Sequence, residues 1–323
     1  MKRFNVPLIA LTMIALSLAL VAAGCGSDDD SGSSNSDLSG SIKIDGSSTV
    51  APLSEAAAEK FQAENPNVRV TVGTSGTGGG FEKFCAGETD ISDASRPIKD
   101  EEIEVCEKNG ISYEQLVVAN DGLAVVVNPE NDFVQCLTLD QLKTIWDKGS
   151  KVDNWNQVDS SFPDEKMELY GPGTDSGTFD YFTDAVNGEE GQSRSDYNAT
   201  EDDNVIVQGV SGSKGGTGYF GLSYVEQNEG KVKAVEVDGG DGCVAPSTET
   251  VQNGTYKPLG RELFIYTSGD ALQRPEVKSF LDFYINNQAE IAEQALYVPM
   301  TEEQAAASTA AVEKLAGGEG ATS

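Results

Sequence analysis

Three stretches of this chain place small hydroxyl residues and glycines where a β-prone run gives way to a helix. The fullest is Gly171-Pro172-Gly173-Thr174-Asp175-Ser176-Gly177-Thr178, entered from a β-prone run at 166–170 and followed by a helix expected over 176–186. The first backbone N–H groups of a helix have no intrahelical partner, and the helix dipole adds positive potential there. Ser176 and Thr178 add hydroxyl donors, and Gly177 lets a ligand come close to the backbone. The chemistry such a device offers is the binding of a small anion. One copy alone reads more simply as an N-capped helix after a turn. Repetition shifts the balance. The second copy is Gly46-Ser47-Ser48-Thr49-Val50, between a strand at 41–45 and a helix running from Ala51-Pro52 to about 64, with Pro52 in the first turn. The third is Gly73-Thr74-Ser75-Gly76-Thr77-Gly78-Gly79-Gly80, between a strand at 68–72 and a helix expected over 81–86. No Gly-Lys-Ser/Thr follows it, so it is not a nucleotide P-loop.

A fourth stretch, Asp90-Ile91-Ser92-Asp93-Ala94-Ser95-Arg96-Pro97-Ile98, reads as a short strand entering a turn. Arg96 with Ser95 offers a bidentate grip on an oxyanion. A surface ion pair with Asp93 or Asp100 is the equal alternative.

The elements that must position these loops alternate between strand and helix. That pattern predicts an α/β fold with mostly parallel sheets, in which ligands sit where strand C-termini meet helix N-termini. Apolar runs at 113–119 and 123–128 read as buried strand split by Asn120-Asp121-Gly122. An amphipathic helix follows at 138–146, with Trp155 assigned to the core. The Gly/Ser run at 209–218 lacks the context of an anion loop, and 216–224 reads as loop plus a small strand. A strand at 260–266, a helix from about 275 to 286 and a last helix at 301–314 complete the pattern.

Composition sets the limits. A chain of 323 residues is long enough for two lobes with separate cores. Its formal charge of −31 argues against nucleic acid as partner. With no histidine, every His-based triad, metal site or proton relay is excluded. The chain starts with Lys2 and Arg3, an apolar run at 6–21 and Ala22-Ala23-Gly24-Cys25, the pattern of a lipoprotein signal peptide over 1–24 with lipidation at Cys25. Removing it takes away two positive charges, so the formal charge becomes −33. Residues 25–38 read as a flexible Ser/Asp/Gly tether to a membrane, and 316–323 as a disordered tail. Four cysteines then remain, and three pairings are open. Cys85–Cys106 with Cys136–Cys243 is favoured because each pair falls within one expected lobe. A thiolate metal site lacks CxxC spacing, and neither metal nor cofactor is expected.

Taken together, Gly46-Ser47-Ser48-Thr49-Val50, Ser75-Gly76-Thr77-Gly78, Asp90-Ile91-Ser92-Asp93-Ala94-Ser95-Arg96 and Asp175-Ser176-Gly177-Thr178 resemble the phosphate-binding subunits of bacterial ABC phosphate importers. The resemblance extends over nearly all of the mature chain, including Leu142-Lys143-Thr144-Ile145-Trp146, Trp155 and Pro258-Leu259-Gly260-Arg261. It implies a two-lobed type II periplasmic-binding-protein fold with a hinge and a cleft. Lobe 1 would be 39–122 and 260–315, lobe 2 123–259, with crossings near Gly122 and Gly260. The implied ligand is dehydrated inorganic phosphate, delivered to the membrane subunits of a permease by a monomeric, lipid-anchored protein outside the cytoplasm. Carried over by position, the ligand set is Ser48, Thr49 and Val50, then Ser75, Gly76 and Thr77, then Ser95 and Arg96, and last Ser176, Gly177 and Thr178. Ser95 stands where some members have an aspartate that accepts the phosphate proton. Pro172 stands where some have an arginine, which Arg96 is expected to replace. Asp93 and Asp175 are the candidate proton acceptors.

Two other classes remain open. One is a binder of sulfate or molybdate on the same fold. The other is an exported phosphatase with Ser176 as nucleophile, for which the sequence offers no histidine base and no clustered metal ligands, so no enzyme is expected. A surface adhesion role is a further, less favoured reading.

Overall fold

The computed structural model describes residues 38–174 and 176–317. The signal segment, Cys25, nearly all of the tether, Asp175 and residues 318–323 lie outside them. No described helix is long and apolar enough to cross a membrane.

The strands form a mixed α/β arrangement around one long, curled sheet. Its order is Val68–Gly73, Gly40–Gly46, Ile91–Ala94, Gly260–Ser268, Tyr113–Val127, Gly216–Gly221, Glu168–Gly171 and Asn198–Ala199, with Lys233–Ala234 added beside Tyr113–Val127. The pairs at each end are parallel. In the middle, Tyr113–Val127 and Gly260–Ser268 run antiparallel to each other and to their outer neighbours. The expectation of mostly parallel sheets therefore holds only toward the ends. The chain leaves one half along one middle strand and returns along the other, so these two must run in opposite directions.

The hydrophobic core divides at the same two strands. One cluster draws on residues from Ile42 to Ala119 and from Leu263 to Leu315, built around Phe61, Phe280 and Tyr284. A second draws on Leu123 to Leu259 and on Val298, built around Trp146, Trp155 and Tyr219. Trp155 is fully buried, as expected. A smaller cluster holds Phe81, Phe84 and Tyr266 around the Cys85–Cys106 disulfide. The Cys136–Cys243 disulfide ties two strands of a separate three-stranded sheet, Cys136–Thr138 with Glu236–Asp238 and Cys243–Val244. Both pairings agree with the sequence expectation.

Three local readings need correction. Asn120-Asp121-Gly122 does not split a strand, because Tyr113–Val127 runs through it. The polar groups are satisfied in place. The Asn120 N–H donates to the Val298 carbonyl at 2.8 Å, and the Val298 N–H donates back at 2.9 Å. Asp121 pairs with Arg261 directly across the ladder. The second correction concerns the glycine run. The expected helix at 81–86 begins earlier, at Gly76, and runs to Cys85. The glycines are helical because the helix presses against the first strand. A Cβ on Gly80 would stand 2.6 Å from Gly46 Cα and 2.8 Å from Ser92 Oγ. The third concerns 216–224, expected as loop plus a small strand: the strand starts at once, as Gly216–Gly221, and leads straight into the helix Leu222–Gln227.

Gly46, the last residue of the first strand, has φ +149°, and a Cβ there would lie 2.1 Å from the Asp93 carbonyl oxygen. Gly46→Ala is expected to lower stability by at least about 2 kcal/mol. A denaturation midpoint equal to that of the wild type would show that the strand end can shift to accept a side chain.

Candidate anion-binding site

Three helices and one turn point their first residues at a common cavity. The helix Ala51–Glu64 starts after Ser47-Ser48-Thr49-Val50, with proline in its first turn. The helix Gly76–Cys85 starts after Ser75. The helix Gly177–Phe182 starts after Ser176, whose Oγ accepts the Thr178 N–H at 3.2 Å, and it continues as a π turn over Thr183–Asn187. The turn carries Ser95 and Arg96. Between them lies a cavity of about 300 Å³.

Of the residues singled out in the sequence, Ser48, Thr49, Gly76, Thr77, Ser95, Arg96 and Gly177 line this cavity. The two sides approach closely, since a Cβ on Gly177 would stand 2.6 Å from Thr49 Oγ1. Thr77 Oγ1 and Ser95 Oγ share a hydrogen bond at 3.0 Å, which joins the second loop to the turn.

The other singled-out residues face elsewhere. Val50 is buried, and its N–H donates to the Ser47 carbonyl at 3.2 Å. Ser75 is captured by Asp45, to which its hydroxyl donates at 2.5 Å and its N–H at 3.1 Å. Burial acts to raise the Asp45 pKa, but Lys83 at 2.6 Å and Ser75 hold it below the usual carboxylate range. Ser176 and Thr178 are half-buried behind the Gly177 wall, joined by their cap. Asp175 lies outside the described residues. Asp93 is fully buried in the strand Ile91–Ala94, and its Oδ1 accepts the Ser54 hydroxyl at 2.8 Å. Its Oδ2 has no partner among the described residues. Burial pushes its pKa up to about 7, with Ser54 opposing and the Asp45 and Glu55 charges adding to the rise.

Arg96 reaches the cavity already engaged. Its two terminal nitrogens each donate at 2.8 Å to Glu102, a bidentate pair. The ion-pair alternative raised for this residue holds, with Glu102 in place of Asp93 or Asp100. Glu102 also accepts the Lys99 N–H at 2.8 Å, so one carboxylate fixes both the arginine and the start of the next helix.

The cavity contains groups that the sequence reading missed. Lys99, Asp180, Tyr181, Asp184, Glu190 and Arg261 complete its lining, with Ser47 and Gly78. Arg261 is the most consequential. Its guanidinium lies 3.5 Å from the centroid of the Tyr181 ring, bonds Asp121 Oδ2 at 3.2 Å and donates to the Ser95 carbonyl at 3.2 Å. Tyr181 is held in turn by its hydroxyl, which donates to the Pro258 carbonyl at 2.6 Å. The sequence reading quoted Arg261 as part of Pro258-Leu259-Gly260-Arg261 but gave it no place in the site. Only the strand register, which sets it opposite Asp121, brings it here. The site thus offers guanidinium, ammonium, hydroxyl and backbone donors to an anion, with a carboxylate-bearing wall on the Asp180 side.

A family model described as a PBP superfamily domain matches residues 31–288. Protein SphX of Synechococcus elongatus is 52% identical over 262 residues, covering 80% of this chain and 77% of the relative. A phosphate-binding protein PstS of Staphylococcus epidermidis is 42% identical over 300 residues, covering 92% and 89%. Among solved structures, a possible phosphate binding protein from Planctomyces limnophilus shares 45% identity at a TM-score of 0.83, covering 86% of this chain and 99% of that one.

Asp93 generates a prediction of its own. Its folded pKa is raised above the unfolded carboxylate value, so between about pH 4 and pH 7 the folded state holds a proton that the unfolded chain has lost. Stability from this group is full below that window and falls as pH rises through it. At about 1.4 kcal/mol per unit, the loss is at most roughly 4 kcal/mol. Asp93→Asn keeps an acceptor for Ser54 and is expected to flatten the wild-type decline in denaturation midpoint from pH 4 to pH 8. Parallel curves for the two proteins would count against a neutral Asp93.

Proposed function

We propose that this chain, which belongs to the PBP superfamily and within it to the phosphate-binding proteins, captures inorganic phosphate between two lobes and delivers it to the membrane subunits of an ABC permease. The observation that carries the reading is the meeting, in one small cavity, of Ser48, Thr49, Gly76, Thr77, Ser95 and Gly177 with two guanidinium groups. A tetrahedral oxyanion needs donors from several directions, and hydroxyls, backbone N–H groups and guanidinium forks provide them. Arg261 takes the role that the sequence reading gave to Arg96 alone, while Arg96, paired with Glu102, supplies a fixed N–H edge. Ser75, Ser176, Thr178 and the Val50 N–H stand behind the wall and support the loops that touch the ligand.

The division into 39–122 with 260–315 and 123–259 is supported by the separation of the two large cores at the crossing strands. Phosphate closes the lobes by binding to loops of both. The chain acts as a receptor and not as an enzyme. Ser176 Oγ is an acceptor for its own helix, and the sequence has no histidine to serve as its base. Cys25 carries the lipid that keeps the protein outside the cytoplasm as a monomer on its tether.

Calorimetric titration of ligand-stripped, tether-truncated protein with phosphate, alone and in excess sulfate, tests this reading. Tight phosphate binding undisturbed by sulfate is expected. Binding of sulfate or molybdate without phosphate would keep the fold and replace the ligand. No oxyanion binding would remove the reading altogether.

Arg261→Met and Ser176→Ala are each expected to weaken phosphate at least tenfold, about 1.4 kcal/mol. Arg96→Ala is expected to do the same, both by losing its N–H edge and by freeing Glu102 as an unpaired negative charge. An arginine variant that titrates like the wild type removes that residue from the site, and an unchanged Ser176→Ala removes the support assigned to its cap behind Gly177.

A further inference from the structure

The helix Asp100–Lys108 carries Glu102, the carboxylate that fixes Arg96 at the cavity, yet the fold gives it little to hold on to. Of its nine residues only Cys106 is buried. Glu102 and Ile103 are half-buried, and the others are exposed. A helix this short is marginal on its own and depends on tertiary packing. Here packing is scarce, since no apolar stripe faces the core and Val105 is 45% exposed. The neighbouring helix Gly76–Cys85 is firmly seated by contrast. Gly80, Phe81, Phe84 and Cys85 are buried, and Gly80 lies against the first strand.

Both helices start at the cavity. Gly76, Thr77 and Gly78 open one of them on the cavity wall, and Lys99 precedes the other there. At their far ends Cys85, the last residue of the first helix, is joined to Cys106 in the last turn of the second. Between the two lies a groove of about 320 Å³, lined by Gly78, Phe81, Glu82, Glu101, Glu102 and Val105. At the cavity end they come close, where a Cβ on Gly78 would stand 3.9 Å from both Arg96 Nη2 and Glu102 Oε1. Two hydrogen bonds add to the bridge. The Asn109 side-chain amide donates to the Cys85 carbonyl at 2.7 Å, and the Ile98 N–H donates to the Tyr266 hydroxyl at 3.0 Å. Both lie outside the helix itself, so within it Cys106 is the one firm anchor among the described contacts.

We propose that the Cys85–Cys106 disulfide is a positioning element of the anion site: by anchoring the helix that carries Glu102 it sets where Arg96 stands, and phosphate affinity depends on it although neither cysteine lines the cavity. The inference rests on the phosphate reading above and concerns how that site is held. The path is short. The bridge fixes the helix, and Glu102 in its first turn holds both terminal nitrogens of Arg96 and the Lys99 N–H. A bidentate pair is directional, so Arg96 follows its carboxylate. Without the bridge the exposed helix is free to swing across the groove, and it takes Glu102 and Arg96 with it. A simpler role, stabilising the fold by restraining the unfolded chain, makes a different forecast. That effect grows with the length of the loop closed. Cys85–Cys106 spans a sequence separation of 21 and Cys136–Cys243 one of 107, so on that account the second bridge is the stronger staple. The second joins strands that contribute nothing to the cavity lining.

The test removes each bridge in turn, as Cys85→Ala with Cys106→Ala and as Cys136→Ala with Cys243→Ala, and follows thermal unfolding and phosphate calorimetry on the ligand-stripped proteins. Loss of the first bridge is expected to weaken phosphate by about tenfold or more. Loss of the second is expected to lower the unfolding midpoint at least as far and to leave phosphate affinity within about threefold of the wild type. The readout that a purely structural role would not move is the coupling to Arg96. In an Arg96→Ala background, removing the first bridge is expected to cost less than about threefold more. If the wild type binds phosphate and the first variant binds it equally well, the inference is overturned and the phosphate reading stands. The same holds if both bridges weaken phosphate alike, or if the losses from Arg96→Ala and from the bridge simply multiply. If the wild type does not bind phosphate, the reading itself fails and the inference with it. Should Cys85→Ala with Cys106→Ala not fold, Cys85→Val with Cys106→Ala, which fills more of the buried volume, takes its place. Failure of that variant to fold would make the bridge a requirement of the fold and not of the site, and this too overturns the inference.

Discussion

The pairing of Arg261 with Asp121 is the constraint from which the rest of the site follows. It sits where two antiparallel strands cross between the cores, and the ladder sets the two residues opposite each other. An aspartate that is only 4% exposed cannot remain there charged and alone. The guanidinium has more donors than one carboxylate oxygen can use, and the surplus is directed outward. One terminal nitrogen takes the Ser95 carbonyl on one side of the cavity, and the planar face rests on Tyr181 on the other. Tyr181 is anchored to the carbonyl of Pro258, just before the returning strand. A single side chain thus connects the crossing to both walls. Movement of one wall relative to the other must be felt at Arg261.

That arrangement explains how a chain of formal charge −31 can hold an anion. Net charge repels it at long range, but at about 0.15 M salt the field of exposed carboxylates fades beyond about 8 Å. Inside the cavity the near groups decide. Arg96 is neutralised as a pair by Glu102 yet keeps a rigid N–H edge, since both its terminal nitrogens are held. Arg261 is shared between an aspartate and a carbonyl. Neither guanidinium is loose, so neither loses much side-chain entropy when a ligand arrives. The cavity is preorganised at the expense of raw positive potential.

The parts legible in the sequence were those whose signal is local. Gly46-Ser47-Ser48-Thr49-Val50 before a proline-opened helix, and the Ser176-Gly177-Thr178 cap, announce themselves through short-range chemistry. The disulfide pairing was legible once the lobes were drawn. The errors came from long-range packing. The glycines at 76–80 look like a flexible loop, but they are helical so that a helix can touch the strand at Gly46. Asn120-Asp121-Gly122 looks like an interruption of the strand, because the partners that make it tolerable, Val298 and Arg261, lie far along the chain. Arg261, quoted in the sequence only as part of Pro258-Leu259-Gly260-Arg261, was given no site role for the same reason. Its neighbours in sequence are those of an ordinary strand, and its importance exists only in register with Asp121. Ser75 failed in the opposite way: its type and place suit an anion loop, but Asp45 had first claim on it.

The loop at Thr49 shows how closely the cavity wall is tied to the crossing strands. From the front, Gly177 of the other wall meets Thr49 closely enough that no larger residue fits without displacement. From behind, the Tyr297 hydroxyl donates to the Thr49 carbonyl at 2.8 Å. Tyr297 follows Leu296, which holds a left-handed φ of +63° and whose carbonyl accepts the Ser223 hydroxyl at 2.7 Å. Such a backbone costs about 1–3 kcal/mol for a residue with a side chain and persists only where its surroundings over-determine it. Here the surroundings do so: the next residue but one, Val298, completes a two-way bridge with Asn120 on the crossing strand. The segment from Leu296 to Val298 therefore reaches Thr49, Ser223 and the crossing at once. Bonded from behind and closely met from the front, the loop has little room to bend. The Thr49 loop, the Leu296 to Val298 segment and the crossing strand are thus braced as one wall, and that wall meets the opposite one where Arg261 stands.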